Sequence, residues 1–315
     1  MIPNERPAFP AADAHCDFLY GMINRGYDLS RPARRQAIRL DKLREGEVKL
    51  QFFAAWIDME FETNPLSQCC QLIDAYYRML EAEPSLVPLS RGFDPSGDKI
   101  AAVLTVEGGE AIEASLANLR ILHRLGVRAM TLTWNDANRL ACPAADKSRR
   151  GLTKLGRDAV REMCRIGIAV DLAHLNDHGI DDVLDIATRP VFASHSNARA
   201  LCDQPRCLRD AHIREISKQG GVVGVNFFHK QLAENRMATL SDVVRHIEHI
   251  ASVGGVRCAA LGSDLDGMGT YIDGLDTSAG MPLIANELLR LGYSEQDVRR
   301  IMFFNLYDYI IGFCD

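Results

Sequence analysis

The chain has 315 residues, 47% of them hydrophobic and 25% charged, with a formal net charge of -6. This is the balance of a soluble globular protein and excludes a disordered or low-complexity chain. Mild acidity also excludes a nucleic-acid surface, which needs a basic face, and points to a small-molecule partner.

The start, MIPNERPAFPAAD, has no basic region followed by an apolar run, so neither a secretion signal nor a membrane span is expected. YIIGFCD at the other end is too short for an anchor. The nine cysteines are odd in number and lack the repeated short spacings of a zinc ribbon. They read as reduced thiols of a cytoplasmic protein, most of them small packing residues. No linker, low-complexity segment or repeat divides the chain, and α/β barrels keep ~250 or more residues around one core. One domain over residues 1–315 is therefore expected.

Taken in chain order, short runs rich in Val, Ala, Ile and Phe alternate with longer segments of helical period, the pattern of βαβ units around a parallel sheet. The predicted strands are 11–15, 48–56, 100–106, 127–133, 168–172, 190–194, 222–226 and 258–262. Predicted helices include 65–81, 111–125 (Ile112, Leu116, Leu119 and Leu122 on one stripe), 153–166, 181–187 and 240–253. Thr153 and Ser241 are expected N-caps, and Gly126, Gly167 and Gly254 mark helix ends. Eight alternations predict an α/β chain closed as a (β/α)8 TIM-like barrel rather than an open doubly wound sheet.

In such a barrel the active site forms where the strands end. The first strand ends in Asp13-Ala14-His15-Cys16-Asp17, where His15 and Asp17 point the same way. Glu107 ends the third before Gly108 and Gly109, His174 the fifth, His195 the sixth, and Asp264 the eighth, in Leu261-Gly262-Ser263-Asp264-Leu265-Asp266-Gly267. Each alone has a dull explanation: a structural histidine, a helix-start carboxylate, a turn former. Together, imidazoles and carboxylates at one end of five strands suit zinc. The remaining histidines, His123, His178, His212, His229, His246 and His249, lie in helical or loop segments and read as surface or structural. Asp58, Asp136 and Asp171 are candidates for supporting hydrogen bonds.

With these residues in place, the sequence resembles the membrane (renal) dipeptidase family of zinc-dependent dipeptidases, which have an amidohydrolase-like barrel. The resemblance runs through DAHCD, LTVEGGEAI, GVRAMTLTWN, VDLAHLND, PVFASHSNARAL, GVVGVNFF and LGSDLDG, almost the full chain. It implies two Zn2+ per chain: His15 and Asp17 on one, His174 and His195 on the other, Glu107 bridging both. It makes Asp264 the catalytic aspartate and Arg206 the group that receives the substrate carboxylate. It implies hydrolysis of a dipeptide or dipeptide-like amide by a metal-bridging hydroxide, with Asp264 as general base and then acid. A homodimer is a family-level expectation.

Three positions depart from the family pattern, and all concern the substrate. Trp134 followed by Asn135 stands where many members carry a histidine, Phe228 where they carry a tyrosine, and Cys207 where they carry an asparagine. Trp134, Asn135 and Phe228 are accordingly expected around the substrate. Two rival readings remain: an amidohydrolase acting on a modified or non-dipeptide amide, and a non-catalytic barrel homologue. Other two-metal amidohydrolases bridge with a carboxylated lysine after the fourth strand, and Thr133, Trp134 and Asn135 offer none.

Overall fold

Apolar runs buried on both faces form parallel strands. In the computed structural model, which describes residues 8–60 and 64–314, these are β1 (Ala11–Asp13), β2 (Val48–Trp56), β3 (Leu86–Pro88), β4 (Ile100–Glu107), β5 (Val127–Thr131), β6 (Ala169–Asp171), β7 (Val223–Val225) and β8 (Ala259–Leu261). β1, β2, β4, β5 and β6 pair in that order, and β7 pairs with β8, all in parallel. The predicted strand at 190–194 does not form a ladder. Single parallel bridges, Asp171 to Phe192 and Ala193 to Val223, tie it to β6 and β7. Pro190 has no N–H to donate, and the Ser194 N–H is taken by the Asp171 carboxylate at 2.9 Å. On the other side the Ala14 N–H donates to the Leu261 carbonyl at 3.0 Å, which closes the (β/α)8 ring. β3, absent from the sequence reading, pairs with the start of β4.

Alternation along β4 sets the layout. Ala101 and Val103 point into the barrel with Leu50 and Phe52 of β2, while Ala102, Leu104 and Val106 pack against the helices. The same period of two carries Glu107 to the mouth. The lower interior is filled by Phe52, Phe192 and the C-terminal residues Phe303, Leu306, Tyr309 and Ile310. These last belong to helical segments over 295–313 that the sequence reading did not assign. They plug the end of the barrel opposite the site, where Asn305 Nδ2 donates to the Val256 and Ala259 carbonyls at 2.7 and 2.8 Å.

Helices Pro65–Ala82, Lys154–Ile166 and Leu240–Gly254 match expectation. The predicted 111–125 helix is instead a 3-10 turn, Gly109–Ile112, and a shorter helix, Leu116–Arg124. Left-handed Glu113 and Ala114, at φ 46° and 62°, break it. Helix Asp177–Ile186 starts four residues before the expected 181 because the Asn176 side chain caps Gly179. Thr153 caps as expected. The cap at the 240 helix is Thr239 rather than Ser241, in a reciprocal capping box with Asp242. No disulfide joins the nine cysteines among the described residues, and only Cys70 of them is exposed. Among the described residues, no helix is long and apolar enough to cross a membrane.

Candidate metal centre and active site

The barrel mouth gathers the five ligand-type residues, all buried, around Glu107. Glu107 Oε2 lies 3.5 Å from His15 Nε2, and its Oε1 lies 3.0 Å from His174 Nε2 and 3.5 Å from His195 Nε2. Asp17 Oδ2 is 3.6 Å from His15 Nε2. The His174 and His195 Nε2 atoms face each other at 3.0 Å. One carboxylate thus touches three imidazoles, two on one of its oxygens and one on the other.

Two sets of possible ligand atoms, one from His15, Glu107 and His195 and one from His15, Asp17 and Asp264, each lie within 4.8 Å of one another. His15 Nε2 and Asp17 Oδ1 are buried without hydrogen-bond partners. Buried polar atoms rarely stay unsatisfied, and this nitrogen and oxygen donor set fits a divalent cation such as zinc.

The electrostatics point the same way. Burial opposes charge on His15, yet Glu107 and Asp17 hold its imidazolium well above the ordinary histidine range. Glu107, against the pull of burial, is held well below the usual carboxylate range by His15 and His174. Burial and then Arg206 press His174 down to about 4, and burial, His15 and Arg206 hold His195 well below the ordinary histidine range. Burial pushes Asp264 up to about 7; His15 pulls it back, while Asp17 and Glu107 push it further. Converging buried carboxylates repel one another and favour a bound cation.

Neighbouring side chains aim the candidate ligands. Ser194 Oγ meets His195 Nδ1 at 2.7 Å, and Asn135 Oδ1 meets His174 Nδ1 at 3.0 Å. An amide oxygen only accepts, so it fixes the proton of His174 on Nδ1 and turns the Nε2 lone pair inward. Asn135, expected against the substrate, therefore also positions His174. Asn135→Ala is expected to weaken metal binding by about 10- to 100-fold, the usual effect of losing such a partner. Competition with a chromophoric chelator measures this, and unchanged affinity would sink the assignment. Asp171 works one step further out, accepting the Ala173 and Ser194 N–H groups at 3.0 and 2.9 Å and so fixing the strand ends that carry His174 and His195.

Backbone strain collects at the same place. His174 and Asp264 adopt left-handed φ of 67° and 64°, uncommon for residues other than glycine and often found at functional sites. Asp264 Oδ2 accepts from Asn226 Nδ2 at 3.0 Å. A Cβ on Gly267 would sit 2.1 Å from Asp17 Oδ2 and 2.7 Å from Asp264 Oδ1, so only glycine lets the loop pass these carboxylates.

The centre opens into a cavity of about 340 Å³ lined by Arg206, Trp134, Asn135, Phe228, Gln231 and Met268, among others. Arg206 donates to the His195 carbonyl at 3.2 Å, and its Nε is buried without a partner. Trp134 stands edge-on to Trp56 at 4.9 Å, and Trp56 packs on Tyr20 at 4.7 Å. Tyr20 is held by its hydroxyl, which donates to Asp58 at 2.7 Å. Phe228 closes another part of the wall. Cys207 is buried and points its thiol at the Gln231 carbonyl, outside the cavity lining.

Sequence reasoning missed Tyr20, Trp56, Arg25 and Met268 in this wall. Trp56 carried a signal, since it ends β2 as Glu107 ends β4; Tyr20 comes from the short helix Phe18–Asn24, Arg25 from its C-terminal end and Met268 from the loop after β8. Of the histidines set aside, His212 and His246 are buried, with His212 Nε2 on Asp181 at 3.0 Å and His246 Nδ1 accepting the Ala198 N–H at 3.0 Å. Asp136 is exposed.

Comparison with known proteins agrees with this geometry. Residues 6–308 match the family model described as membrane dipeptidase (Peptidase family M19). The chain is 33% identical over 314 residues to Dipeptidase 3 of Rattus norvegicus, covering 95% of this chain and 64% of that protein. It therefore spans a little under two thirds of the length of that relative. Among solved structures, dipeptidase AC, a metallopeptidase of family M19, superposes with a TM-score of 0.90 at 26% identity, covering 98% of this chain and 99% of its own. A Rhodobacter sphaeroides metallopeptidase bound to a phosphinate mimic of the dipeptide L-Ala-D-Ala gives 0.88 at 25%, covering 98% and 100%. The chain belongs to the membrane dipeptidase family, peptidase family M19.

Proposed function

We propose that the protein is a metal-dependent dipeptidase that hydrolyses the amide of a dipeptide or dipeptide-like substrate at a centre of two zinc ions. The observation that carries this reading is the place of Glu107, which touches His15 through one oxygen and His174 and His195 through the other. His15 and Asp17 would hold one ion, His174 and His195 the second, and Glu107 both. When bound, the metals supply an activated water and polarise the scissile carbonyl. The similarity to a metallopeptidase liganded with a dipeptide mimic supports the substrate class.

The chain's own residues do the rest. Arg206, with a free buried Nε, binds the terminal carboxylate of the substrate and fixes its direction in the cavity. Asp264 uses Oδ2 to accept from Asn226, which leaves Oδ1 to take a proton from the attacking water and return it to the departing amine. Trp56, Trp134 and Phe228 make the wall apolar and keep bulk water from the reacting amide. Cysteines without disulfides, such as the buried Cys16 and Cys258, support a cytoplasmic location.

A screen of L,L and L,D dipeptides with zinc-loaded protein tests the assignment. Turnover that disappears with a chelator and returns with zinc is the expected result, and no turnover of any dipeptide overturns it. Trp134 adds a second expectation. It packs edge-on against Trp56, has no side-chain hydrogen bond among the described residues, and offers an indole ring where the family histidine supplies a polar contact. Simple dipeptides such as Gly-D-Ala should be poor substrates relative to those with apolar groups. Trp134→His should raise kcat/KM on the simple dipeptide by about 10²-fold, the usual worth of one polar contact to a developing oxyanion. A variant with unchanged preference would show that the ring only packs the mouth.

A further inference from the structure

A second, basic groove opens from the rim of the cavity. Arg25, Gly267, Met268 and Gly269 line both. The groove, about 1130 Å³, continues past Arg34, Arg35, Arg39 and Lys42, and Asp276 is its one lining carboxylate among the described residues. In a chain of net charge -6 this concentration runs against the general balance.

Internal pairing does not use it up. Arg39 reaches Asp41 at 3.3 Å and Lys42 reaches Glu45 at 2.5 Å. Even so, Arg39 Nε is buried without a partner. Arg25 donates to the Asp266 carbonyl at 3.3 Å and lies 5.4 Å over the Tyr20 ring, and among the described residues no carboxylate forms an ion pair with it. Arg34 and Arg35 are exposed and have no ion pair or hydrogen bond among the described residues.

The loop that presents these two arginines is built firmly. Buried Gln36 accepts the Asp28 and Ala33 N–H groups at 3.2 and 2.9 Å and donates to the Asp28 and Ile38 carbonyls, both at 2.7 Å. The Asp266 carboxylate accepts the Ala37 and Ile38 N–H groups at 2.7 and 3.1 Å. Arg35 itself sits at a left-handed φ of 70°. The cationic loop is thus fastened to the turn that carries Asp264. A loop whose backbone is already ordered costs less to use when an anion arrives.

We propose that this groove is an anion subsite for the acyl half of the substrate, so that the preferred substrate carries a further carboxylate on its amino-terminal residue. The proposal rests on the dipeptidase reading, in which Arg206 takes the terminal carboxylate. Arg206 follows the 190–194 segment, whereas the groove joins the cavity at loops after β1 and β8. A substrate held at Arg206 and across the centre therefore directs its amino-terminal residue to Arg25, with Arg34 and Arg35 beyond.

The test compares kcat/KM for dipeptides that share a carboxyl-terminal residue and carry Glu, Gln or Lys at the amino-terminal position. Glu is expected to lead Gln by about fivefold to tenfold, as a few partly screened charge pairs allow, and Lys to trail. The ratio should shrink at high salt and collapse toward one in the Arg34→Ser, Arg35→Ser double variant. Equal Glu and Gln values in the wild type, or a ratio that survives the double substitution, overturns the proposal. Tricarballylate binding, followed by calorimetry, supplies a readout independent of hydrolysis, and the double variant should bind it about fivefold to tenfold more weakly. Should no dipeptide be cleaved while this binding behaves as expected, the dipeptidase reading fails and the anion site stands. Should dipeptides be cleaved while binding ignores the substitutions, the anion site fails alone.

Discussion

Glu107→Ala is expected to leave the protein folded but unable to hold its metals, with fewer than one ion per chain by elemental analysis and dipeptide turnover lowered by at least about 10³-fold. The size follows from the several kcal/mol that a metal centre contributes by polarising the carbonyl and generating the nucleophile. The cause lies in the geometry. Among the described residues Glu107 is the one carboxylate in contact with His15, His174 and His195 together; without it His15 keeps only Asp17, and the buried His174 and His195 are left facing each other. His15 loses its largest source of positive stabilisation, since Glu107 leads the charges that raise it. Glu107→Gln keeps the shape and volume, so it separates the loss of charge from the creation of a cavity. Circular dichroism and thermal melting confirm that both variants fold. Two metals retained in either variant would remove the bridging assignment, and metal loss with undiminished turnover would remove the metal from the chemistry.

Much of this centre was legible because residue type and strand position coincide. Glu107 is reached by counting in twos from the interior residues Ala101 and Val103 of β4, and β2 and β4 are long enough for their patterns to be unmistakable. The segment at 190–194 read as a strand because its composition is right. What the composition hides is that the Ser194 N–H is diverted to Asp171, and that diversion aims His195. The 111–125 stripe was likewise real, but Glu113 and Ala114 turn left-handed where the chain comes back from the mouth. Residues 295–313 were not assigned because their role as the plug beneath Phe52 and Phe192 depends on contacts between distant parts of the chain. Tyr20, Arg25 and Met268 were invisible for the same reason: only the folding of the helix and loops after β1 and β8 brings them to the cavity. Asn135 shows the limit most sharply: its position beside Trp134 suggested substrate contact and it does line the cavity, but only the fold reveals that its carbonyl also faces His174.

Asp264→Asn should lower kcat by about 10²- to 10⁴-fold while leaving metal content unchanged, the range attributed to a well-placed general acid–base group. The substitution isolates the proton from the architecture. Asp264 sits at a left-handed φ of 64°, a conformation that asparagine tolerates nearly as well as aspartate. The side-chain oxygen that accepts from Asn226 at 3.0 Å can be supplied by the amide, so the turn before Gly267 should hold. What the amide cannot do is take a proton from water and give it to an amine. The control lies two residues on. Asp266 uses both carboxylate oxygens on the Ala37 and Ile38 N–H groups, so Asp266→Asn should disturb the loop at 34–38 without abolishing proton transfer. One alternative is built into the geometry: Asp264 joins His15 and Asp17 in a set of atoms close enough to ligate an ion directly. The measurements separate the two roles. A lower kcat with two metals still bound supports proton transfer, whereas loss of an ion in Asp264→Asn makes Asp264 a ligand, and near-normal turnover removes it from the mechanism altogether.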